Sequence, residues 1–199
     1  MENIQTLYIP IEIEINVNFI INENVLTWVK ENHNKNLFNM KENTDFTIVS
    51  SSGTKYNTHK LLLAIQSPVL KEKIKINKTD SIILDSNDDE IHLLLEFIYK
   101  NTIHDIESRD WQEILNLAEK FDMDSLRQLI QVPMCQQISI DNAVNIAILS
   151  EKYKLIDIQE KIIDFIKKNP KVLDTESWND LNDVVLTKKI LKGICTSSK

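Results

Sequence analysis

The sequence predicts an α+β fold, in which a small sheet is covered by helices and followed by an all-helical extension. Two short strand patterns separated by a turn occupy residues 45–58, and a third strand pattern lies at 81–85. Helical periodicity then dominates up to residue 194. A hairpin, two short helices, one more strand and a run of helices together form the element order of an α+β domain.

The predicted sheet begins with a β-hairpin. Residues 45–50 and 54–58 carry β-branched and aromatic side chains, which favour strands, and Ser51, Ser52 and Gly53 lie between them. Gly53 can adopt the positive φ that a tight turn requires.

Two short helices separate the hairpin from the third strand. Residues 61–65 are all apolar, which predicts a short and well-buried helix. Pro68 begins the second helix, at 69–74, because proline fits the first helical turn and the residue before it avoids helical angles.

The rest of the chain is predicted to be a series of amphipathic helices. Apolar residues recur at intervals of three and four, Asp110 stands where a cap is expected, and Asp124 starts a further helix. The predicted helical stretches are 86–99, 110–121, 124–130, 139–149, 158–166, 175–181 and 184–194.

The first 44 residues have a different character. Apolar and polar residues alternate from Leu7 to Val17, which predicts a strand with one exposed face and no evident partner nearby. Residues 18–44 are rich in Asn, Lys and Glu, and we interpret them as a linker that carries one or two short helices.

Composition restricts the function classes. The net charge is −7, which disfavours non-specific binding of nucleic acid. No apolar run is long enough to span a membrane, and no signal peptide is visible, so we expect the nucleus or the cytoplasm. The two cysteines, Cys135 and Cys195, are too far apart to predict a zinc site and are expected to be free, buried thiols.

No catalytic or cofactor motif is evident. The sequence contains neither of the glycine-rich phosphate-binding patterns, and His33, His92 and His104 lack metal-ligand spacing. Asp45 and His59 could be taken for an acid–base pair, but no nucleophile accompanies them. We therefore predict a non-enzymatic protein without a cofactor, a metal or a small-molecule substrate.

Several motifs resemble the signature of the BTB/POZ domain family. They occur in order from about Leu37 to Cys135, and Asp45, His59 and Lys60 are the polar residues of this signature. The motifs are Asp45-Phe46, Tyr56-Asn-Thr-His59-Lys60, Ala64, Ser67-Pro68-Val69, Ser81-Ile-Ile-Leu-Asp85 and Leu95-Glu-Phe-Ile-Tyr-Lys100.

The flanking sequences are similar to those of speckle-type POZ proteins, in which a MATH domain precedes the BTB domain. The carboxy-terminal motifs resemble a cullin box and a partial BACK region: Cys135-Gln-Gln-Ile-Ser-Ile-Asp-Asn-Ala143, Asp164-Phe-Ile and Leu173-Asp-Thr-Glu-Ser-Trp178. This resemblance divides the chain into a remnant of the last MATH strand (1–20), a linker with a candidate dimer helix (21–44), the BTB domain (45–135), the helical extension (136–194) and a tail (195–199).

The resemblance implies a dimeric adaptor that links substrates to a cullin-3 ubiquitin ligase. It places Leu37 and Met40 at the dimer interface, although a helix packed within its own chain is the alternative. It also implies pairing with related BTB proteins. The residues it makes available for cullin contact are Leu70, Ile74, Ile76, Tyr99 and Leu115.

One stretch departs from the family pattern. Relatives carry a hydrophobic-x-Glu motif before the third strand, whereas Lys78 stands here in place of the acid, and Glu72 and Lys73 replace a small and apolar pair. A charge buried against an apolar groove is unfavourable unless it is paired, so these residues are expected to weaken cullin-3 binding. The alternatives are a solvated loop and a BTB oligomerisation scaffold without cullin binding.

Overall fold

The computed structural model of the protein describes residues 44–77 and 79–196, and this part of the chain contains three strands and nine α-helices. The strands are β1 (Phe46–Val49), β2 (Lys55–Thr58) and β3 (Ser81–Ile83). The helices are α1 (Lys60–Gln66), α2 (Pro68–Ile76), α3 (Asp88–Lys100), α4 (Trp111–Lys120), α5 (Asp124–Gln136), α6 (Ala143–Lys152), α7 (Ile156–Lys168), α8 (Glu176–Asn179) and α9 (Val184–Thr196), with a 3₁₀ turn at Pro170–Asp174. The predicted α+β class is confirmed.

The sheet has the strand order β2-β1-β3. β1 pairs antiparallel with β2, with Phe46 opposite Thr58, and parallel with β3, with Ile48 opposite Ile82. A parallel pair needs a crossover connection, which α1 and α2 provide. Gly53 adopts a φ of +91° in the hairpin turn, as predicted.

One apolar core runs from the sheet into the carboxy-terminal helices. Phe46 and Ile48 of β1 are buried on the same side of the sheet as the helices that cover it. The core continues through α4 and α5, and α5 packs against α7. The extension is therefore joined to the domain by shared apolar burial rather than by a flexible tether.

A buried serine fixes the junction between the two crossover helices. The hydroxyl of Ser67 accepts a hydrogen bond from the backbone N–H of Leu70 at 3.1 Å and thereby caps α2. It also donates to the backbone carbonyl of Phe121 at 2.5 Å, after the end of α4. Pro68 occupies the first position of α2, as predicted.

The prediction that residues 61–65 form a well-buried helix is wrong in one respect. The helix is present, but only Leu63 is fully buried, whereas Leu61 and Ile65 are 68% and 67% exposed. A helix of seven residues lying on one surface can bury a single stripe of side chains. The opposite stripe stays in water even when it is apolar.

The expected burial of the cysteines is also wrong. Both thiols are free, but Cys135 is only half-buried and Cys195 is exposed.

The hairpin is joined to α3 through a carboxylate surrounded by hydroxyl groups. Asp88, at the start of α3, accepts hydrogen bonds from Ser52 Oγ at 2.9 Å, Thr54 Oγ1 at 3.1 Å and Tyr56 Oη at 3.0 Å. Hydrogen bonding from Ser50 makes the largest contribution to a lowered pKa of Asp88. Ser52, Tyr56 and Thr54 lower this pKa further, and desolvation opposes them.

We expect Asp88→Asn to reduce the acid sensitivity of the fold. Because folding lowers the pKa of Asp88, its contribution to stability is fully present above the ordinary value of 3.8 and is lost as the pH falls through the lowered value. Urea unfolding from neutral pH down to about pH 2 should therefore show a smaller loss of stability for the variant than for the wild type. Asp89→Asn, on the same helical turn but exposed, is the matched control. If the unfolding free energies of the wild type and Asp88→Asn fall equally as the pH is lowered, the stabilising role given to the Asp88 carboxylate is contradicted.

Candidate interaction surfaces

The first turn of α1 is held by a carboxylate from the start of β1. Asp45 Oδ1 accepts a hydrogen bond from the backbone N–H of Lys60 at 2.8 Å. His59, the residue before the helix, makes no capping hydrogen bond with its side chain, so Asp45 satisfies an N–H group of the first turn from outside the helix. The ammonium group of Lys60 pairs with Asp80 at 2.7 Å and lies 5.4 Å from the centre of the Phe46 ring.

His59 is bound to a buried tyrosine of α3. Its ring Nδ1 lies 2.8 Å from Tyr99 Oη, and its backbone N–H donates to the same oxygen at 3.2 Å. Desolvation is the main cause of a raised pKa of Tyr99, the charge of Asp45 raises it further, and the hydrogen bond from the His59 backbone opposes the shift. The un-ionised hydroxyl can accept from the backbone and donate to the ring nitrogen at the same time.

The signature residues therefore act as structural ties. Asp45 and His59 are not paired with each other in the way that an acid–base couple requires, because each is bound to a different partner on α1 or α3. Together they fix where α1 starts and how it lies against α3.

The first candidate interaction surface is the α1 face, which consists of Leu61 and Ile65. These residues are one helical turn apart and lie on the same side of α1. Each is more than 60% exposed, whereas Leu63 on the opposite side is fully buried. A pair of large apolar side chains on one exposed face is typical of a protein interface, because contact with a partner removes that area from water.

The second candidate surface is the β3 hollow, between the end of α2 and the outer side of β3. Its volume is about 630 Å³, and two isoleucines, Ile76 and Ile83, are 76% and 78% exposed on it. The residues that line the hollow are Lys73, Ile76, Asn77, Thr79, Ser81, Ile82 and Ile83.

Three of the five residues predicted to contact cullin are not available to a partner. Leu70 and Leu115 are fully buried and Tyr99 is only 4% exposed, so all three pack in the core of their own chain. The prediction is corrected for these residues, because each occupies the inward side of its helix. Ile76 lies on the surface and Ile74 is half-buried, and their contact role stays a prediction.

The charged residues on α2 face solvent. Glu72 and Lys73 are exposed, and Glu72 lies 4.0 Å from Lys75, one turn further along the helix. Neither charge is buried in the free protein, so any desolvation penalty arises only when a partner covers them.

Sequence reasoning missed Leu61, Ile65 and Ile83. The alternation of β3 contained the signal for Ile83, since Ile82 and Leu84 are buried and the residue between them must face outward. The run 61–65 contained no such signal, because all five residues are apolar and the exposed side cannot be read from them.

Three predicted residues lie outside the described part of the chain: Leu37 and Met40 of the candidate dimer helix, and Lys78. The same is true of the strand predicted at residues 7–17. Among the residues that the structure describes, no cluster of three metal-binding side chains occurs, and no helix is long and apolar enough to cross a membrane.

Residues 34–138, more than half of the chain, match the model of the BTB/POZ domain family. The chain belongs to the BTB/POZ domain family. BTB domains are protein-interaction modules, which agrees with a small sheet and helices that leave apolar surface exposed.

Curated relatives of this BTB protein carry a MATH domain as well. BTB/POZ and MATH domain-containing protein 6 of Arabidopsis thaliana is 26% identical over 72% of this chain and 40% of its own length. BTB and MATH domain-containing protein 42 of Caenorhabditis elegans is 26% identical over 87% of this chain and 46% of its own length. The chain thus spans less than half the length of these relatives.

A solved structure similar to this BTB protein is the BTB domain of zebrafish PATZ1. It is 17% identical, with a TM-score of 0.43, and the match covers 58% of this chain and 95% of that one.

We expect Tyr99→Phe to destabilise this BTB domain by about 1–2 kcal/mol, because the His59 N–H and ring nitrogen lose their common partner inside the protein. Urea unfolding measures the change. Tyr153→Phe is the control, since the hydroxyl of Tyr153 contacts Asn116, an exposed residue that water can solvate, and it should cost less. Equal losses of unfolding free energy in the two variants would show that the His59–Tyr99 contact stabilises the fold no more than the Tyr153–Asn116 contact does.

Proposed function

We propose that this protein is a dimeric BTB adaptor that links other proteins to a cullin-3 ubiquitin ligase in the nucleus or the cytoplasm. Family membership supports a protein-interaction role, and the resemblance to speckle-type POZ proteins supports the cullin-3 link. The observation that carries the proposal is the exposure of two separate pairs of large apolar side chains, the α1 face and the pair Ile76 and Ile83.

The α1 face is proposed as part of the dimer interface. A twofold homodimer brings the same patch of both subunits together, so Leu61 and Ile65 of one subunit can pack against the same residues of the other. An apolar patch that complements itself is well suited to this geometry. Leu37 and Met40 would extend the interface from the amino-terminal side.

The end of α2 is proposed as the cullin-contact surface. The resemblance implies a hydrophobic anchor before the third strand, and the exposure of Ile76 in this stretch supports its choice as that anchor. Ile74, two residues earlier, is half-buried and lies on a different side of the helix. An exposed isoleucine that enters an apolar pocket of a partner is the kind of anchor that dominates interface energies.

The proposed adaptor role also requires a way to recruit substrates. The chain spans less than half their length, and only residues 1–20 resemble a MATH domain. We propose that substrates are recruited through this chain's own surface or through pairing with related BTB proteins that carry a complete MATH domain.

A second candidate function is an oligomerisation scaffold that does not bind cullin-3. The observation that favours it is Lys78, which stands where relatives carry an acid, together with Glu72 and Lys73 on the adjacent helix. Like charges that face each other across an interface can weaken binding of that partner by several kcal/mol.

The dimer is tested by light scattering of Leu61→Glu with Ile65→Glu. The wild type should have twice the chain mass of 23.2 kDa, and the double variant should dissociate at a concentration roughly 30-fold higher or more, because two carboxylates are then forced into an apolar contact. Val185→Glu, exposed on α9, is the control and should remain dimeric. A monomeric wild type, or a double variant that dimerises normally, would contradict the proposal.

The cullin link is tested by calorimetric titration with an amino-terminal fragment of cullin-3. The wild type should bind with a Kd in the micromolar range or tighter, and Ile76→Asp should weaken binding by roughly tenfold or more. The matched control is Val185→Asp. Failure of the dimeric wild type to bind at tens of micromolar would exclude the adaptor and leave the scaffold.

A further inference from the structure

The β3 hollow lies in a basic part of an acidic protein. Residues 70–83 contain four lysines against two acids, whereas the whole chain has a net charge of −7. Lys73 lines the hollow beside Ile76 and Ile83, whereas Lys71 and Lys75, each two residues away along the helix, are exposed but do not line it.

Neighbouring acids are already engaged with cations inside the chain. Asp80 pairs with Lys60 at 2.7 Å, and Glu72 lies 4.0 Å from Lys75. Among the described contacts, neither acid binds Lys73, which is exposed and lines the hollow. Lysines in the last turn of a helix also interact favourably with its dipole. The dipole interaction accounts for lysines at the end of α2, but it does not account for the two exposed isoleucines beside them.

We infer that the β3 hollow binds an acidic segment of a partner protein, in which an apolar side chain packs against Ile76 and Ile83 and a carboxylate pairs with Lys73. Apolar contact supplies the area removed from water, and Lys73 selects the sign of the partner's charge, since no acid is among the described residues that line the hollow. A basic segment would place like charges together, which is unfavourable. The inference rests on the proposed function, since Ile76 is the proposed cullin anchor, and it states what chemistry a partner must have at that anchor.

The test uses two short synthetic peptides and the complete ¹⁵N-labelled chain. Both peptides have a central Leu-Leu pair, flanked by Glu in one and by Lys in the other. At millimolar concentration, the Glu peptide should shift the amide signals of residues 73–77 and 79–83 and bind roughly tenfold more tightly than the Lys peptide. Added salt should weaken this binding, because the charges involved are exposed.

Charge reversal provides the decisive variant. Lys73→Glu should reverse the preference, so that the Lys peptide binds more tightly than the Glu peptide. Lys171→Glu makes the same change in net charge at an exposed position elsewhere and should keep the original preference. Equal binding of both peptides, no shifts in the hollow, or shifts confined to another surface would overturn the inference. Signals of the hollow that change on simple dilution would also overturn it, since they would show a second copy of the chain as the occupant.

These experiments contain no cullin fragment, so their outcome is separate from the adaptor test. If the cullin fragment binds through Ile76 while the peptides show no charge preference, the inference is wrong and the adaptor function stands. If the Glu peptide binds while the cullin fragment does not, the acidic partner is another protein and the adaptor function fails.

Discussion

Both candidate surfaces depend on the corner at which β2 turns into α1. Here a strand and two helices are held together by the hydrogen bond that the Lys60 backbone N–H donates to Asp45 and by the contact of His59 with Tyr99 of α3. Tyr99 is buried, where an unpaired hydroxyl group is costly, and Asp45 lies at the surface. Together the two contacts fix the start and the direction of α1. The exposure of Leu61 and Ile65 follows from that direction, because Leu63 must then face inward.

The crossover between β1 and β3, which consists of α1 and α2, positions the second surface, the β3 hollow. α1 and α2 are short and are joined at Ser67, whose hydroxyl caps α2 and binds the chain after α4. α2 therefore has little freedom to shift relative to the core. Its last residue, Ile76, reaches the solvent next to the outward side of β3, and this places two isoleucines from different elements in one hollow.

The sequence predicted the elements better than it predicted the contact residues. Gly53, Pro68 and the Asp110 cap are local signals, and the structure contains them where they were expected. Asp124 lies in the first turn of α5 and does not cap it. The direction of a side chain on a short apolar helix is not a local signal, since it depends on which stripe meets the core. This is why Leu70 and Leu115 were assigned to a partner although both are buried, and why the α1 face was missed. Ile83 was within reach, because strand alternation determines its side.

The two kinds of residue on the β3 hollow act on different parts of recognition. Ile76 and Ile83 provide apolar area that is indifferent to the partner's charge, so they can anchor any segment that fits. Lys73 adds little to affinity in water, but a partner with the wrong charge has to desolvate it without compensation. Under the proposed function, the two isoleucines would therefore supply the docking area and Lys73 its selectivity. The identity of the partner is determined less by the core, which the fold requires, than by a few exposed charges that the fold leaves free to vary.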